Sequence, residues 1–229
     1  MRRIFSPETN VKMVVFDMAG TIVNENGIIY KAIGNTLNKM GYAPSKEDKI
    51  YWYGKDKKEV LFNHIKREEK SNYVNNIVDK AENILVDELE KEYFSNNNIK
   101  LMEDVNNVFH ELRFNNVKVA LNTGYPKDLQ EKIIEHLCLY NIIDAYVSSE
   151  QVKYGRPYPY MIYNLMEQCD IQNVKDVVKV GDTKNDILEG INAGCGITIG
   201  VLSGAGTISE LNEKSNFVIN DISMLTDYI

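Results

Sequence analysis

The chain has 229 residues, 44% of them apolar and 26% charged, which suffices for a sizeable core and argues against a disordered chain. Its formal charge is −7 with no basic stripe to offset it, so a surface that tracks nucleic-acid phosphates is not expected. The opening MRRIFSPETN has two arginines but no apolar stretch behind them, and no apolar run approaches a bilayer span; we expect a cytoplasmic protein without membrane contact.

In chain order, KMVVFD (12–17) reads as a buried strand that ends on Asp17, followed by a small turn of Ala19, Gly20 and Thr21. The interval that follows carries only helical patterns: YKAIGNTLNKMGY, then KKEVLFNHIKREE, then VNNIVDKAENILVDELEKEYF. It is too long for a crossover or a structureless loop, so residues 24–95 are expected to form a helical cap domain. SNNNI (95–99) is its return linker. Four more buried strands follow, VKVALN (117–122), AYVSS (145–149), DVVKVGD (176–182) and ITIGVL (197–202). Helices are expected at 125–140, 159–170 and 185–194. This alternation predicts an α/β fold, a parallel sheet covered on both faces, built from residues 1–23 and 96–229.

Ligands of parallel sheets bind outside the carboxyl ends of the strands, which gives Asp17 a reason to close a buried strand. VKVGDTKNDILEG sets Asp182 at a second strand end, with Asp186 four residues on and able to face the same place. Carboxylates gathered this way repel one another unless a cation holds them, and a small oxygen-ligand set favours Mg²⁺. LNTGYP ends another strand with Thr123 and Gly124, a hydroxyl and a backbone amide at a helix start suited to an anion. KYGRPYPY supplies Arg156 to orient phosphate oxygens.

With these residues in order, the sequence resembles the haloacid dehalogenase superfamily over nearly its whole length. FDMAGTIV, LNTG, GRP and VGDTKNDILEG correspond to its four motifs. The resemblance is to the phosphonatase branch, because Ala19 replaces the second aspartate of the common first motif and Arg156 replaces the usual lysine of the third. It implies a Rossmann-like core with an inserted cap, and a nucleophilic Asp17 that forms an aspartyl-phosphate. It also implies Mg²⁺ held by Asp17, the Ala19 carbonyl and Asp182 with support from Asp186, and phosphoryl oxygens cradled by Thr123, Gly124 and Arg156. Ala19 cannot protonate a departing alkoxide, a task worth about 10²–10⁴-fold in rate. Phosphonatases stabilise the leaving group instead as an iminium on a cap lysine, and the resemblance sets Lys57, three residues after Gly54, in that role. Lys55 and Lys58 are the other candidates. Tyr53 and Val60 stand where that branch has methionine and histidine, so the cap has diverged.

His64, His110 and His136 lie in separate helical segments without ligand spacing and read as structural. Cys138, Cys169 and Cys195 are odd in number and far apart, which suggests neither disulfides nor zinc. YWY (51–53) either lines a cleft or fills the cap, and SGAGT (203–207) reads as a plain loop in preference to a phosphate contact. Three functions stay open: a phosphonatase-type hydrolase, a phosphate monoesterase on a small metabolite of the phosphoglycolate kind, and a catalytically silent phosphate-binding domain. In each the partner is a small phosphonate or phosphate, with a homodimer as a further expectation.

Overall fold

The structure, a computed structural model, describes residues 10–24, 27–52, 57–69, 73–94 and 99–229, with the backbone alone at positions 50 and 51. The chain divides into two compact units, Met1–Asn24 with Leu101–Ile229, and Glu25–Lys100. Tyr53, Gly54 and Lys55 of the lysine motif, and most of the expected return linker, lie outside the described residues.

In chain order the first unit begins with β1 (Met13–Asp17) and the short β2 (Val23–Asn24). The second unit contributes α1 (Ile28–Lys39), α2 (Lys46–Trp52), α3 (Lys57–Glu68) and α4 (Val74–Phe94). The chain continues with β3 (Lys100–Leu101), α5 (Val105–Phe114), β4 (Lys118–Thr123), α6 (Lys127–His136), β5 (Ala145–Ser148) and α7 (Tyr160–Gln168). It closes with β6 (Val177–Gly181), α8 (Lys184–Ala193), β7 (Ile197–Val201), α9 (Ile208–Asn212) and β8 (Phe217–Ile219).

Six strands form one sheet in the order β5-β4-β1-β6-β7-β8, and every neighbouring pair is parallel. Strands that read MVVFD and VVKVG are buried at every position, as a sheet covered on both faces requires. The strand order reverses on either side of β1, between β4 and β6, which is where such sheets open a crevice. Register fixes what faces it: Asp17 pairs with Asn122 and Phe16 with Val180, so β1, β4 and β6 end together.

Several elements go beyond the sequence expectation, among them β2, α2, β3 and α9. Helix α5 packs Val105, Val108, Phe109 and Leu112 inward, and β8 adds a sixth strand of only three residues beside β7. The helix expected to run to residue 140 ends at His136, because Cys138 adopts a left-handed φ of 55° that breaks the helical path.

In the second unit, α1 turns Ile28, Ala32, Ile33 and Leu37 inward and sets Lys31, Asn35 and Lys39 one helical turn apart. These meet α4: Lys31 pairs with Glu92 and Lys39 with Glu88, each at 2.6 Å, and Asn35 donates to Glu92. Trp52 of the YWY cluster is buried edge-on against the His64 ring, so at this residue the cluster is filler. His64 is itself buried, and its Nδ1 takes a hydrogen bond from Arg67, which also grips Asp48 through both Nη atoms. Burial first, then the Arg67 charge, pushes the imidazole below its usual pKa, against the pull of Asp48.

A depressed folded-state pKa means that the unfolded chain takes up the proton more readily. The stabilisation is therefore complete above the ordinary histidine pKa and is lost as pH falls through the folded value. Urea unfolding at pH 7.5 and 5.5 checks this: wild type should lose more stability on acidification than His64→Phe, and equal losses would show that His64 does not carry the dependence.

Candidate active site

Asp17 closes β1, buried, and its carboxylate meets Arg156 Nη1 at 2.7 Å. Asp182 follows β6 directly, and Asp186 sits in the first turn of α8. Asp186 is there for a local reason: Thr183 caps α8 and its hydroxyl accepts from the Asp186 amide, while Asp186 Oδ2 accepts from the Thr183 amide and hydroxyl. Asp17, Asp182 and Asp186 each offer one oxygen, and these lie within 4.8 Å of one another. Thr123 ends β4 beside them, buried, with its Oγ1 accepting from the Tyr125 amide at 3.2 Å. Gly124 is exposed after it, and Ala19 is half-buried in the turn after β1. Lys57 belongs to the second unit, where it opens α3, and its neighbour Lys58 is paired with Glu82 at 2.8 Å.

Three residues that the sequence reading passed over complete the cluster. Lys179, in the middle of β6, is fully buried, and Glu189 of α8 and Asn122 of β4 are buried with it. Arg156 Nε lies 3.2 Å from both Asp186 Oδ1 and Glu189 Oε2, and its Nη2 donates to the carbonyl and side-chain oxygens of Asn122. Lys179 was visible in VVKVGD as a charge inside a strand buried on both faces, a placement that demands partners. Glu189 follows Asp186 by three residues and so shares its helix face.

The loop Ser203–Thr207, read from sequence as a plain connection, is a brace. Ser203 Oγ donates to the Gly20 carbonyl at 2.8 Å, and the Ala205 amide donates to Asp182 Oδ2 at 2.7 Å. A Cβ at Gly204 would stand 2.0 Å from Asp182 Oδ2, and one at Gly181 would stand 2.2 Å from Asp186 Cγ. Both glycines let backbone close onto a carboxylate.

Charge decides what the cluster can hold. Four buried carboxylates, Asp17, Asp182, Asp186 and Glu189, face two cations, the fully buried Lys179 and the partly buried Arg156, which leaves two formal negative charges in excess among the described residues. Burial pushes the Asp17 carboxyl above its usual range, with Arg156 pulling the other way. Burial also works against the Asp186 carboxylate, but Arg156, Lys179 and the Thr183 hydrogen bond prevail and bring it down to about 2. The same carboxylates hold Arg156 protonated against its own burial. An excess of two charges on hard oxygen donors fits one divalent cation of the Mg²⁺ type.

Acidic side chains at the carboxyl ends of a parallel sheet, with a partly buried arginine among them, define an α/β enzyme whose ligand sits outside the strand ends. A family model described as haloacid dehalogenase-like hydrolase matches residues 14–199, and the chain belongs to that family. It is 32% identical over 114 residues to the phosphonoacetaldehyde hydrolase of Bacillus cereus (strain G9842), which covers 49% of this chain and 43% of that one. It is 26% identical over 227 residues to a bifunctional phosphonoacetaldehyde hydrolase/aminoethylphosphonate transaminase of Clostridioides difficile (strain 630), over 93% of this chain and 35% of that one. The chain thus spans about half or less of the length of these curated relatives. In fold it matches a phosphonoacetaldehyde hydrolase-like protein from Oleispira antarctica, with a TM-score of 0.78 at 18% identity over 99% and 95% of the two chains. It also matches a predicted phosphoglycolate phosphatase from Haemophilus somnus 129PT, with a TM-score of 0.77 at 19% identity over 96% and 98%. No helix among the described residues is long and apolar enough to cross a membrane.

The bracing loop makes a direct prediction. Gly204→Ala forces Asp182 aside, and calorimetric titration with Mg²⁺ should show affinity reduced by about 10–100-fold, the usual cost of disturbing a group that orients a ligand. Unchanged affinity in a folded variant would mean that Asp182 is not held by this loop.

Proposed function

We propose that the chain is a Mg²⁺-dependent, phosphonatase-like hydrolase of the cytoplasm, in which Glu25–Lys100 is the cap and the strand-end cluster is the phosphoryl site. The observation that carries the reading is the contact of Arg156 with Asp17 at 2.7 Å, a phosphate-orienting cation on the carboxylate expected to attack, in a chain with Ala19 two residues on. Asp17, the Ala19 carbonyl and Asp182 would hold the metal, with Asp186 behind them. Bound there, Mg²⁺ supplies charge neutralisation between the nucleophile and the anionic substrate.

The residues of the chain divide the work. The Lys57 amine condenses with the aldehyde of a phosphonate such as phosphonoacetaldehyde, releasing water and leaving an iminium. An Asp17 oxygen attacks phosphorus while Arg156, Thr123 and Gly124 hold the phosphoryl oxygens. The carbon–phosphorus bond breaks, and its electron pair moves into the iminium to give an enamine, so no alkoxide needs the acid that Ala19 cannot be. Protonation and hydrolysis of the enamine free acetaldehyde and Lys57, and water hydrolyses the aspartyl-phosphate. The likeness to two phosphonoacetaldehyde hydrolases in sequence supports this order of events. Lys57 is preferred over Lys58 because it stands three residues after Gly54, as the resemblance requires.

Borohydride in the presence of phosphonoacetaldehyde should inactivate the enzyme and leave a two-carbon group on the peptide that holds Lys57. Lys57→Arg keeps the charge but cannot form the imine, and should lose carbon–phosphorus cleavage to background. Asp17→Asn should lose turnover completely. An unlabelled enzyme whose Lys57→Arg variant retains activity on a panel of phosphate esters would instead establish the monoesterase. Inactivity on phosphonates and esters alike, with phosphate still bound, would establish the silent domain.

A further inference from the structure

Lys179 is a fully buried cation that the chemistry above leaves without a task. Its Nζ reaches Asn122 Oδ1 at 2.9 Å, Asp186 Oδ1 at 3.0 Å, Glu189 Oε2 at 3.5 Å and the Val180 carbonyl at 3.3 Å. The first three atoms are the same ones that anchor Arg156, through its Nε to Asp186 and Glu189 and its Nη2 to Asn122. Two cations therefore share one set of acceptors, and only Arg156 extends beyond it to Asp17. The Asn122 amide is oriented by both, since its Oδ1 faces the cations and its Nδ2 donates to Glu189 at 2.9 Å. The fold makes room for this lysine: a Cβ at Gly190 of α8 would stand 2.8 Å from Lys179 Cβ, so the helix crosses the side chain at a glycine.

We propose that Lys179 is a positioning residue: it offsets the charge of Asp186 and Glu189 so that Arg156 is not drawn back onto them and keeps its reach toward the phosphoryl position at Asp17. The inference rests on the phosphoryl reading of Arg156 given above. Without Lys179, Arg156 would be the one cation, among the described residues of this cluster, left to answer two fully buried carboxylates, and Asn122 Oδ1 would lose one of its two donors.

Two readouts test it in the full chain. The first is the Nε–H resonance of Arg156 in ¹⁵N-arginine-labelled protein, identified by its loss in Arg156→Lys. The second is the affinity of the Mg²⁺-loaded protein for inorganic phosphate. In Lys179→Met the resonance should shift and phosphate should bind about tenfold more weakly. In Lys179→Met/Glu189→Gln, where one charge of each sign is gone, both should return close to wild type. A purely structural lysine would lower the melting temperature in both variants and leave the two readouts unmoved. An unmoved resonance with phosphate affinity within about twofold of wild type in the folded single variant would overturn the proposal. So would a double variant as weak as the single one. If the single variant does not fold, the double variant decides alone, near-wild-type binding supporting the proposal and weak binding with a displaced resonance refuting it. A wild-type chain that binds no phosphate would refute the phosphoryl reading, and the Arg156 resonance would still decide the role of Lys179.

Discussion

Four carboxylates held out of water in one place set the terms for the rest of this structure. Removing one partner from a buried ion pair costs about 3–5 kcal/mol, so each of these groups has to be answered where it stands. The answers come from different parts of the chain. Arg156 arrives from the loop before α7, Lys179 from the middle of β6, and hydrogen bonds from the caps and loops around Asp182 and Asp186. Two cations against four carboxylates leave a deficit that hard, divalent chemistry fits, and burial, with the Asp186 charge adding to it, raises the Asp17 carboxyl among them.

Backbone geometry makes such a gathering achievable. Parallel strands that end in register bring Asp17 level with Asn122 and next to the end of β6, so carboxylates far apart in sequence become neighbours through the backbone alone. Glycine does the remaining work, because the loop at Gly204 and the strand end at Gly181 approach carboxylates closer than any Cβ would permit. The active-site carboxylates are thus packed as a core is packed, with their orientation fixed before substrate arrives.

Much of this was legible in the sequence because the signals are local. A buried strand ending on Asp17, the Asp182 and Asp186 spacing, and Arg156 in GRP each announce themselves within a few residues. What escaped depends on partners far along the chain. Glu189 looks like one more helical glutamate until the fold brings it to Arg156 and Lys179, and Asn122 looks like a strand end until it accepts from both. SGAGT reads as an ordinary loop because its function, holding Asp182, is carried by one amide and a missing Cβ, neither of which has a sequence pattern of its own. Strand β8 escaped for a different reason: three residues are too few to show a period, and only pairing with β7 makes them a strand.

The shape of arginine explains how one residue can be both fixed and available. A guanidinium presents its donors in a rigid fork, and here Nε and Nη2 are committed to Asp186, Glu189 and Asn122 while Nη1 alone rests on Asp17. On the proposed phosphoryl reading, an incoming phosphoryl group would compete for that one contact while the guanidinium plane stays where the scaffold holds it. A lysine at position 156, the usual residue of the family's third motif, would bring one compact ammonium in place of the planar fork, so contacts to the scaffold and to Asp17 would have to share a single nitrogen. In this site the lysine is set deeper, at position 179, where its compact charge meets three side-chain acceptors at once while Nη1 of the arginine fork faces Asp17.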